Sequence, residues 1–493
     1  MKTFVHQIIV TVSMLLAAAS PVCAKTGNEN LLVTYPVPQA LLYRLHNDDY
    51  TVRVRTPGGE WQDLYEYKIR VDWHDPQTAS MVYFDFKGTV ELEIEKNNGR
   101  FTTVSIAPRD TALTYTRRRT LIHLALRKPA RFSIQFDDDH LHNLHIMAGA
   151  PPAPKPDDPA LIYYGPGVHV PPAGSTTFPV HSGDRIYLAG GAVLQGSFDL
   201  ENIRDVKIAG RGLLYDPGRP IDLNGATDID IRDLIEVNTD ANAGARVINI
   251  RNSANVTLHD ISGFTAGKWS DGINISTSQH ITVDGGYLRT SDDAVVVYAI
   301  SDCPICADKP IPAVGPPGSA TPADTFDIRV RNLTIWNDVA HSLFIGHFGD
   351  NTSPRMIHDV SFENIDIANL DEDQPTWEGA MAIFSGDSTL IRNISFSHIR
   401  IDRIEEGKLF NFVAGQAPRY NTAPGRGIDG VTVTDVSYSG DGMPSRPLIS
   451  GRSPTAAVKN VSIRGLRIAG KRITSTKAAD LNVGPNVSGL TIH

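Results

Sequence analysis

Cysteine is nearly absent from this chain of 493 residues, in which only Cys23, Cys303 and Cys306 occur. Three cysteines cannot supply the four thiolates of a Cys₄ zinc site, and no strand–helix pattern around Cys303 and Cys306 suggests a thioredoxin-like redox motif. Half of a zinc site, a redox pair and a local disulfide remain open for that pair. The sequence therefore excludes a cysteine-rich metal or disulfide scaffold.

Positive charge and long apolar runs are also lacking. Lys and Arg number 46 against 55 Asp and Glu, which gives a formal net charge of −9. A nucleic-acid partner would favour a basic surface. Beyond the N-terminal residues, no stretch approaches the roughly 18 apolar residues that a membrane-spanning helix needs. We therefore expect neither a nucleic acid nor a membrane as a partner.

The first 24 residues have the pattern of a secretory signal peptide. Lys2 provides the charged start, residues 8–19 are largely apolar, and Val22-Cys23-Ala24 is a small-residue cleavage site. We therefore expect residues 1–24 to be removed and the protein to be secreted, either to the extracellular space or to a periplasm. In such an oxidising compartment a disulfide between Cys303 and Cys306 is the expected state of the pair.

Residues 25–148 alternate apolar and polar side chains, as in Val90-Glu91-Leu92-Glu93-Ile94. Period-2 alternation between Gly, Asn and Pro turns predicts an antiparallel β-sandwich domain. This domain could bind carbohydrate or cap the open end of the domain that follows, and we favour the cap because an exposed sheet edge invites aggregation. Residues 149–160 contain five prolines and predict a stiff linker.

A short apolar–x–apolar pattern recurs through residues 161–493, first at intervals of 23, 27 and 25 residues. It begins at Val206, Ile229, Val256, Ile281, Ile328, Val360, Ile394, Val431, Val461 and Leu490. A strand-rich repeat of this length, with no amphipathic helix of about 12 residues between strands, predicts a parallel β-helix. Residues that tolerate unusual backbone angles mark the expected corners, namely Asn332, Asn364, His398, Asp435 and Gly465.

Three aspartates interrupt the apolar runs of adjacent repeats: Asp271, Asp292 and Asp293. Each could be a turn residue bonded to nearby backbone. However, Asp292 follows Asp271 by 21 residues, about one coil, so Asp271 should stack about 4.8 Å below the Asp292–Asp293 pair, with the three carboxyl groups on one surface. Clustered carboxylates raise one another's pKa, which allows one to act as an acid and another as a base. Adjacent strand residues point to opposite faces, so a bend at Asp292–Asp293 is required.

The motifs around these aspartates resemble the glycoside hydrolase clan of families 28 (polygalacturonases) and 49 (dextranases and isopullulanase). Trp269-Ser270-Asp271-Gly272 keeps the Asp and Gly of the family 28 Asn-Thr-Asp-Gly motif, and Asp292-Asp293 matches its Asp-Asp pair. His341 matches the histidine of its Gly-His-Gly motif. A sandwich in front of the β-helix is similar to the layout of family 49. The resemblance implies an all-β chain with an N-terminal β-sandwich followed by a right-handed parallel β-helix.

The resemblance also implies an inverting and endo-acting hydrolase that cleaves glycosidic bonds in a polysaccharide. Asp292 would be the acid that protonates the leaving oxygen, while Asp271 and Asp293 would position the attacking water. His341 would tune the pKa of the acid, with His347 as the alternative. We expect no metal or other cofactor and a monomeric protein.

The family 28 Arg-x-Lys motif, which binds galacturonate, is expected near residues 380–386, where the chain reads Ala380-Met381-Ala382-Ile383. An anionic polymer would find no specific counter-charge there. We therefore expect a neutral α-glucan as the substrate, as for dextranase or isopullulanase. The alternative is a pectic polysaccharide, with Arg355 or Lys268 reaching in from the rim. A Ca²⁺-dependent lyase, for which Lys268 and Arg289 lie near the acidic pair, and a non-catalytic glycan-binding β-helix are less favoured.

Aromatic residues near the motifs are candidate platforms for sugar rings, although core packing is the alternative for each one. They are Trp269, Tyr298, Trp336 and Trp377. The proline-rich insertion at residues 299–325 leaves the β-helix directly after the strand that follows the Asp-Asp pair. We therefore expect it to form one wall of the substrate groove.

Overall fold

The computed structural model describes residues 30–109, 113–239, 246–300, 324–372, 374, 379–440 and 442–493. Regular structure there is almost entirely β-strand, and Gln39–Leu41 forms a short 3₁₀ turn. Within these ranges no helix has the length and apolar character needed to cross a bilayer. The predicted leader at residues 1–24 lies outside the described residues.

The N-terminal domain is a β-sandwich of two sheets around an apolar core. Its six-stranded sheet runs in the order Leu31–Val33, Gln77–Lys87, Asp139–Gly149, Ala130–Phe136 and Val104–Ala107, with Tyr67–Val71 also paired to Gln77–Lys87. Its five-stranded sheet runs in the order Gln62–Asp63, Tyr50–Arg55, Val90–Lys96, Leu121–Leu126 and Tyr115–Arg118. One pair departs from the antiparallel expectation: Asp139–Gly149 lies parallel to Gln77–Lys87, because no hairpin joins these two strands.

A right-handed parallel β-helix begins at Ile162–Tyr164, and residues 150–161 between the two domains form no strand. The strands of its longer sheet are Ile162–Tyr164, Gly167–His169, Arg185–Leu188, Ala192–Leu194, Arg204–Gly210, Leu213–Tyr215, Thr227–Arg232, Ile235–Val237, Ala254–Phe264, Gln279–Thr290, Thr325–Asn337, Met356–Asn369, Leu390–Ile401, Gly427–Thr434, Ser437–Tyr438, Val458–Arg464, Arg467–Ile468, Lys471–Arg472, Val487–Ser488 and Thr491–Ile492. The strands of its second sheet are Thr177–Phe178, Ser197–Glu201, Ile221–Asn224, Ile248–Arg251, Ile273–Ser276, Val295–Tyr298, Leu343–Gly346, Met381–Ser385, Phe410–Ala414, Leu448–Gly451 and Asn482–Val483. Each coil thus contributes to both sheets, and its inward side chains form one continuous core.

The repeat found in the sequence is the register of the longer sheet. Val206 pairs with Ile229, which pairs with Val256, and Val256 pairs with Ile281. Ile281 then pairs with Ile328, although the proline-rich insertion separates them in the chain. Corresponding apolar residues therefore stack above one another in the core, as the recurring pattern predicts.

The predicted corners are confirmed by the backbone. Asn332, Asn364, His398, Asp435 and Gly465 have φ values of 58°, 53°, 55°, 52° and 67°, in the left-handed region. Asn, Asp, His and Gly occupy this region more readily than other residues. The corners also bond to one another, since Asn364 Nδ2 donates to Asn332 Oδ1 at 2.7 Å.

The six-stranded sheet of the sandwich packs along the flank of the β-helix. Its Ile69, Met81 and Met147 join one apolar cluster with residues from successive coils. The β-helix residues of this cluster are Val193, Leu213, Tyr215, Ile235, Val237, Phe264, Tyr287, Trp336 and Ala368. The expected cap over the open end is therefore wrong. Apolar side chains point outward from coil after coil on one face, and this face is the surface that the sandwich removes from water.

Candidate active site

Asp271, Asp292 and Asp293 meet on one face of the β-helix. One carboxylate oxygen from each lies within 4.8 Å of those from the other two. Asp271 comes just before strand Ile273–Ser276, while Asp292 and Asp293 lie between the strands that end at Thr290 and begin at Val295. Because the chain has left the strand at this point, two adjacent side chains can reach the same cluster, as the sequence required.

Gly272 allows the two coils to approach at this cluster. A Cβ atom at this position would lie 2.3 Å from the backbone oxygen of Ala294, so any residue other than glycine would clash there. The Gly272 N–H also donates to the Asp293 carbonyl at 2.8 Å. The Asp-Gly part of the motif thus sets the stacking distance between the acids of the two coils.

The three carboxylates differ in their partners. Arg246 Nε donates to Asp271 Oδ2 at 2.8 Å, and Asn274 Nδ2 donates to the same oxygen at 2.7 Å. His341 bonds Asp293 Oδ1 through Nδ1 at 2.7 Å and through its backbone N–H at 3.1 Å. Asp292 accepts only backbone N–H groups among the described residues, from Trp269 at 3.1 Å and from Asp293 at 3.0 Å. Asp292 is therefore the acid without a cationic partner in the described part of the chain.

These surroundings favour a proton on Asp292. Burial raises its pKa well above the usual range, and the charges of Asp271 and Asp293 raise it further. Burial also raises the pKa of Asp271, but Arg246 opposes that shift. The cluster therefore combines one carboxyl paired with an arginine, one bonded to a histidine and one that is best left neutral.

His341 bonds Asp293 and not Asp292, the carboxyl whose pKa it was expected to tune. Besides Asp293, its Nδ1 lies 3.1 Å from Glu372 Oε2. Glu372 Oε1 in turn accepts the backbone N–H of Gln374 at 2.7 Å. His341 and Glu372 are both buried, so the series of contacts from Glu372 through His341 fixes the orientation of the Asp293 side chain.

Aromatic and histidine rings form the wall of the pocket beside the acids. His347 stacks between Tyr298, at 5.8 Å between ring centroids, and Tyr420, at 5.0 Å. Burial lowers the pKa of His347 to about 3, which keeps its ring neutral. Trp269 also lines the pocket, with Lys268 Nζ 5.0 Å from its ring centroid. Trp269, Tyr298, His341 and His347, all predicted from the sequence, thus lie at one pocket.

The cluster could also offer three oxygen ligands to a divalent cation. However, Arg246 already compensates Asp271, and His341 already bonds Asp293. Arg246 therefore compensates Asp271, whereas Asp293 and Glu372 share the single imidazole of His341.

The sequence profile of Glycosyl hydrolases family 28 matches residues 197–476, more than half of the chain, including the acidic cluster. The chain belongs to this family. It is thus a glycoside hydrolase that acts on polysaccharides.

Solved structures of similar fold cover most of this family 28 hydrolase. Dex49A from Penicillium minioluteum matches with a TM-score of 0.59 at 15% identity, over 91% of this chain and 94% of that chain. An exopolygalacturonase from Thermotoga maritima matches with a TM-score of 0.44 at 13% identity, over 67% of this chain and 83% of that chain. A comparison with curated proteins found no significant match. The likeness to Dex49A extends over nearly the whole fold, sandwich included.

Two residues singled out from the sequence as site candidates, Trp336 as a sugar platform and Arg289 as a cation near the acidic pair, lie instead at the domain interface of the hydrolase. Trp336 is 1% exposed and donates its indole N–H to Asp338 at 3.1 Å. Arg289 is also 1% exposed and bonds Asp338, Asn143 and His145. Both side chains point from the β-helix towards the sandwich, so sequence proximity to the acidic pair was misleading.

Arg355 is a third correction. It is 4% exposed, its Nη2 lies 3.8 Å from Asp350 Oδ2, and it does not line the pocket. Cys303, Cys306, Trp377 and most of the insertion at 299–325 lie outside the described residues, so the disulfide and the groove wall stay predictions.

Several residues of the site were missed from the sequence: Arg246, Asn274, Glu372, Gln374 and Tyr420. Arg246 precedes Asp271 by 25 residues, one coil of the repeat, and Asn274 follows Asp271 by three. The stacking rule that brought the aspartates together could therefore have found Arg246. Glu372, Gln374 and Tyr420 lie in connections between strands and follow no repeat, so the sequence offered no signal for them.

Proposed function

We propose that this family 28 hydrolase cleaves its polysaccharide with inversion, with Asp292 as the general acid. The observation that carries this assignment is the difference in partners within the cluster. Asp271 has Arg246 and Asp293 has His341, whereas Asp292 accepts only backbone N–H groups among the described residues. A carboxyl that stays protonated beside ionised neighbours is suited to donate a proton to the leaving oxygen.

Asp271 and Asp293 position the attacking water in this proposal. Their nearest oxygens lie within 4.8 Å, so a single water can donate to both at about 2.8 Å. The nearest oxygen of Asp292 also lies within 4.8 Å of Asp271 and Asp293, which is shorter than the roughly 6.5–9.5 Å typical of the two carboxyl groups of inverting enzymes. Inversion is therefore supported by the resemblance to families 28 and 49 and not by the spacing, and product stereochemistry is the measurement that decides it.

We infer a neutral α-glucan as the substrate. The described residues that line the pocket include the three aspartates and no Lys or Arg. Arg246 is already bonded to Asp271, and strand Met381–Ser385 supplies no cation where family 28 has its Arg-x-Lys motif. An anionic chain would meet uncompensated negative charge, at a cost of a few kcal/mol by analogy with unpaired charges at interfaces. The layout shared with family 49 favours an α-glucan such as dextran or pullulan.

The test is to incubate the full-length protein with dextran, pullulan and polygalacturonate and to follow the first products by NMR. We expect new reducing ends from an α-glucan, with the β-anomer appearing first because inversion converts an α-linkage. Short and intermediate oligosaccharides would indicate endo action. Cleavage of polygalacturonate alone would reject the neutral substrate, and an initial α-anomer would reject inversion. Loss of activity in chelator would favour a cation-dependent lyase.

We also propose that the hydrolase is exported as a monomer after removal of residues 1–24. The charged start, apolar core and cleavage site of that segment support export. N-terminal sequencing of the protein from the culture medium or a periplasmic extract should begin at Lys25. A chain that remains in the cytoplasm with Met1 intact would contradict this proposal.

A further inference from the structure

The sandwich contains a strongly basic segment in an otherwise acidic chain. From Leu113 to Phe136 the sequence has five arginines and one lysine and no Asp or Glu, although the whole chain carries a net charge of −9. Three of the arginines are consecutive, at residues 117–119. This segment forms the edge strand Tyr115–Arg118 and its neighbour Leu121–Leu126 in the five-stranded sheet.

The five-stranded sheet faces away from the β-helix, because the interface uses side chains of the six-stranded sheet. On this outer face lies a groove of about 890 Å³ whose lining includes Arg55, Tyr115, Arg118, His123, Arg127 and Lys128. The acidic cluster of the active site lies in the β-helix and shares no lining residue with this groove. The groove is therefore a second, separate concave surface.

The positive charge of the groove is largely uncompensated. Arg55 is paired with Glu91 at 2.7 Å. Arg118, Arg127 and Lys128 are exposed, and no described carboxylate lies within ion-pair distance of any of them. Surface cations without local partners attract anionic ligands over about a Debye length and can bond them in the groove.

Aromatic rings accompany these cations. Tyr115 is 38% exposed on the edge strand. Trp61 lies beside the groove, with the Arg55 guanidinium 4.3 Å from its ring centroid. An exposed ring can stack on the apolar face of a pyranose, while the planar fork of an arginine matches a carboxylate. The Tyr115 ring and the arginine forks on one open groove thus suit a chain of acidic sugars.

We propose that the outer groove of the sandwich binds an anionic polysaccharide, such as a uronate polymer, independently of the active site. A linear acidic glycan fits better than the other polyanions. A lipid surface would favour a protruding apolar side chain, and a nucleic-acid duplex would favour a basic surface longer than one small sheet. The groove would hold the hydrolase on an acidic matrix while the β-helix cleaves a different, neutral chain.

The test uses the full-length protein and measures binding by isothermal titration calorimetry at low and physiological salt. The probes are polygalacturonate, dextran, single-stranded DNA and vesicles with anionic headgroups. The test variant is Arg118→Glu with Arg127→Glu, both exposed. The matched control is Lys459→Glu with Arg464→Glu, two exposed cations on strand Val458–Arg464 of the β-helix. Thermal unfolding verifies that both variants are folded.

We expect polygalacturonate to bind and its affinity to fall with added salt. The Arg118/Arg127 variant should bind it at least about tenfold more weakly, since two charge reversals each remove an attraction and add a repulsion, while the control keeps its affinity. The proposal is overturned if polygalacturonate does not bind at low salt, or if both double variants lose affinity equally. Equal or tighter binding of DNA or vesicles would reject an acidic glycan as the ligand. If the active site itself takes polygalacturonate, the Arg118/Arg127 variant keeps the affinity of the wild type, and that outcome also overturns the proposal.

Discussion

Two arginine–aspartate pairs of the β-helix have the same chemistry and opposite surroundings. Arg246 Nε donates to Asp271 at 2.8 Å, and the two side chains are 16% and 6% exposed. Arg289 Nη2 donates to Asp338 at 2.7 Å, and these side chains are each 1% exposed. The first pair borders the pocket, while the second is sealed between the β-helix and the sandwich.

The surroundings decide what each pair does. Arg289 also donates to Asn143, to His145 and to the backbone carbonyl of His140, so its bonds connect the two domains. Asp271 instead shares its site with two further carboxylates, whose charges change when a proton moves. A sealed and fully bonded pair stabilises the architecture, and a pair at the edge of a pocket controls protonation.

The largest effect is expected at Asp292, the acid of the cluster that accepts only backbone N–H groups among the described residues. Asp292→Asn should reduce kcat on the polysaccharide substrate by about 10³-fold, since an amide cannot donate the proton. The unfolding midpoint should change little because the shape is kept. The control is Asp435→Asn at an exposed corner with φ of 52°, where Asn is equally tolerated. Wild-type kcat in Asp292→Asn would show that the acid lies elsewhere.

The next largest effect should be on stability, at the interface pair. Arg289→Met leaves the Asp338 carboxylate buried without its partner and should lower the free energy of unfolding by about 3–5 kcal/mol in urea titrations. Arg246→Met is the matched variant at the pocket, and its stability loss should be smaller because its surroundings are less buried. Equal losses would remove the distinction between the two pairs.

Activity should show the opposite order, with a larger loss in Arg246→Met than in Arg289→Met. Burial raises the pKa of Asp271 and Arg246 opposes the shift, so Arg246→Met should raise this pKa further. The ionised base would then be lost at higher pH, which moves the acidic limb of kcat/KM upward and reduces the rate by about 10²-fold at neutral pH. Folded Arg289→Met should keep the wild-type pH profile. A shifted profile in Arg289→Met would mean that the interface controls protonation as well.

The smallest effect concerns Glu236, a buried acid with no hydrogen-bond partner among the described residues. Burial raises its pKa well above the usual 4.5. The unfolded chain ionises near 4.5 while the folded chain stays protonated, so this residue costs stability as pH rises above 4.5 towards its folded pKa. Glu236→Gln should therefore be more stable than wild type by about 1 kcal/mol at pH 7.5 and equal to it at pH 4.

Exposed Glu363→Gln serves as the control and should change the stability at neither pH. A constant difference across this pH range would indicate that ionisation of Glu236 is not the cause.

The fold could be predicted further than the site, for a physical reason. Inward positions repeat with each coil, so the pattern that starts at Val206 predicted the strand register, and Asn332 and Asn364 predicted the corners. Outward positions carry no such constraint, because the same strand can face water, a pocket or another domain. Arg289 and Trp336 were therefore assigned to the wrong surface, and the flank position of the sandwich was missed.

The insertion after Tyr298 leaves the β-helix and returns at nearly the same point. Thr325 Oγ1 donates to the Tyr298 carbonyl at 2.7 Å, and Ile281 still pairs with Ile328 on the far side. The pairing of the two coils therefore does not depend on the number of residues between these two positions. An insertion of another length would leave the pairing of these coils unchanged, so the wall of the groove predicted from the sequence is a place where substrate range could be altered without changes to the core.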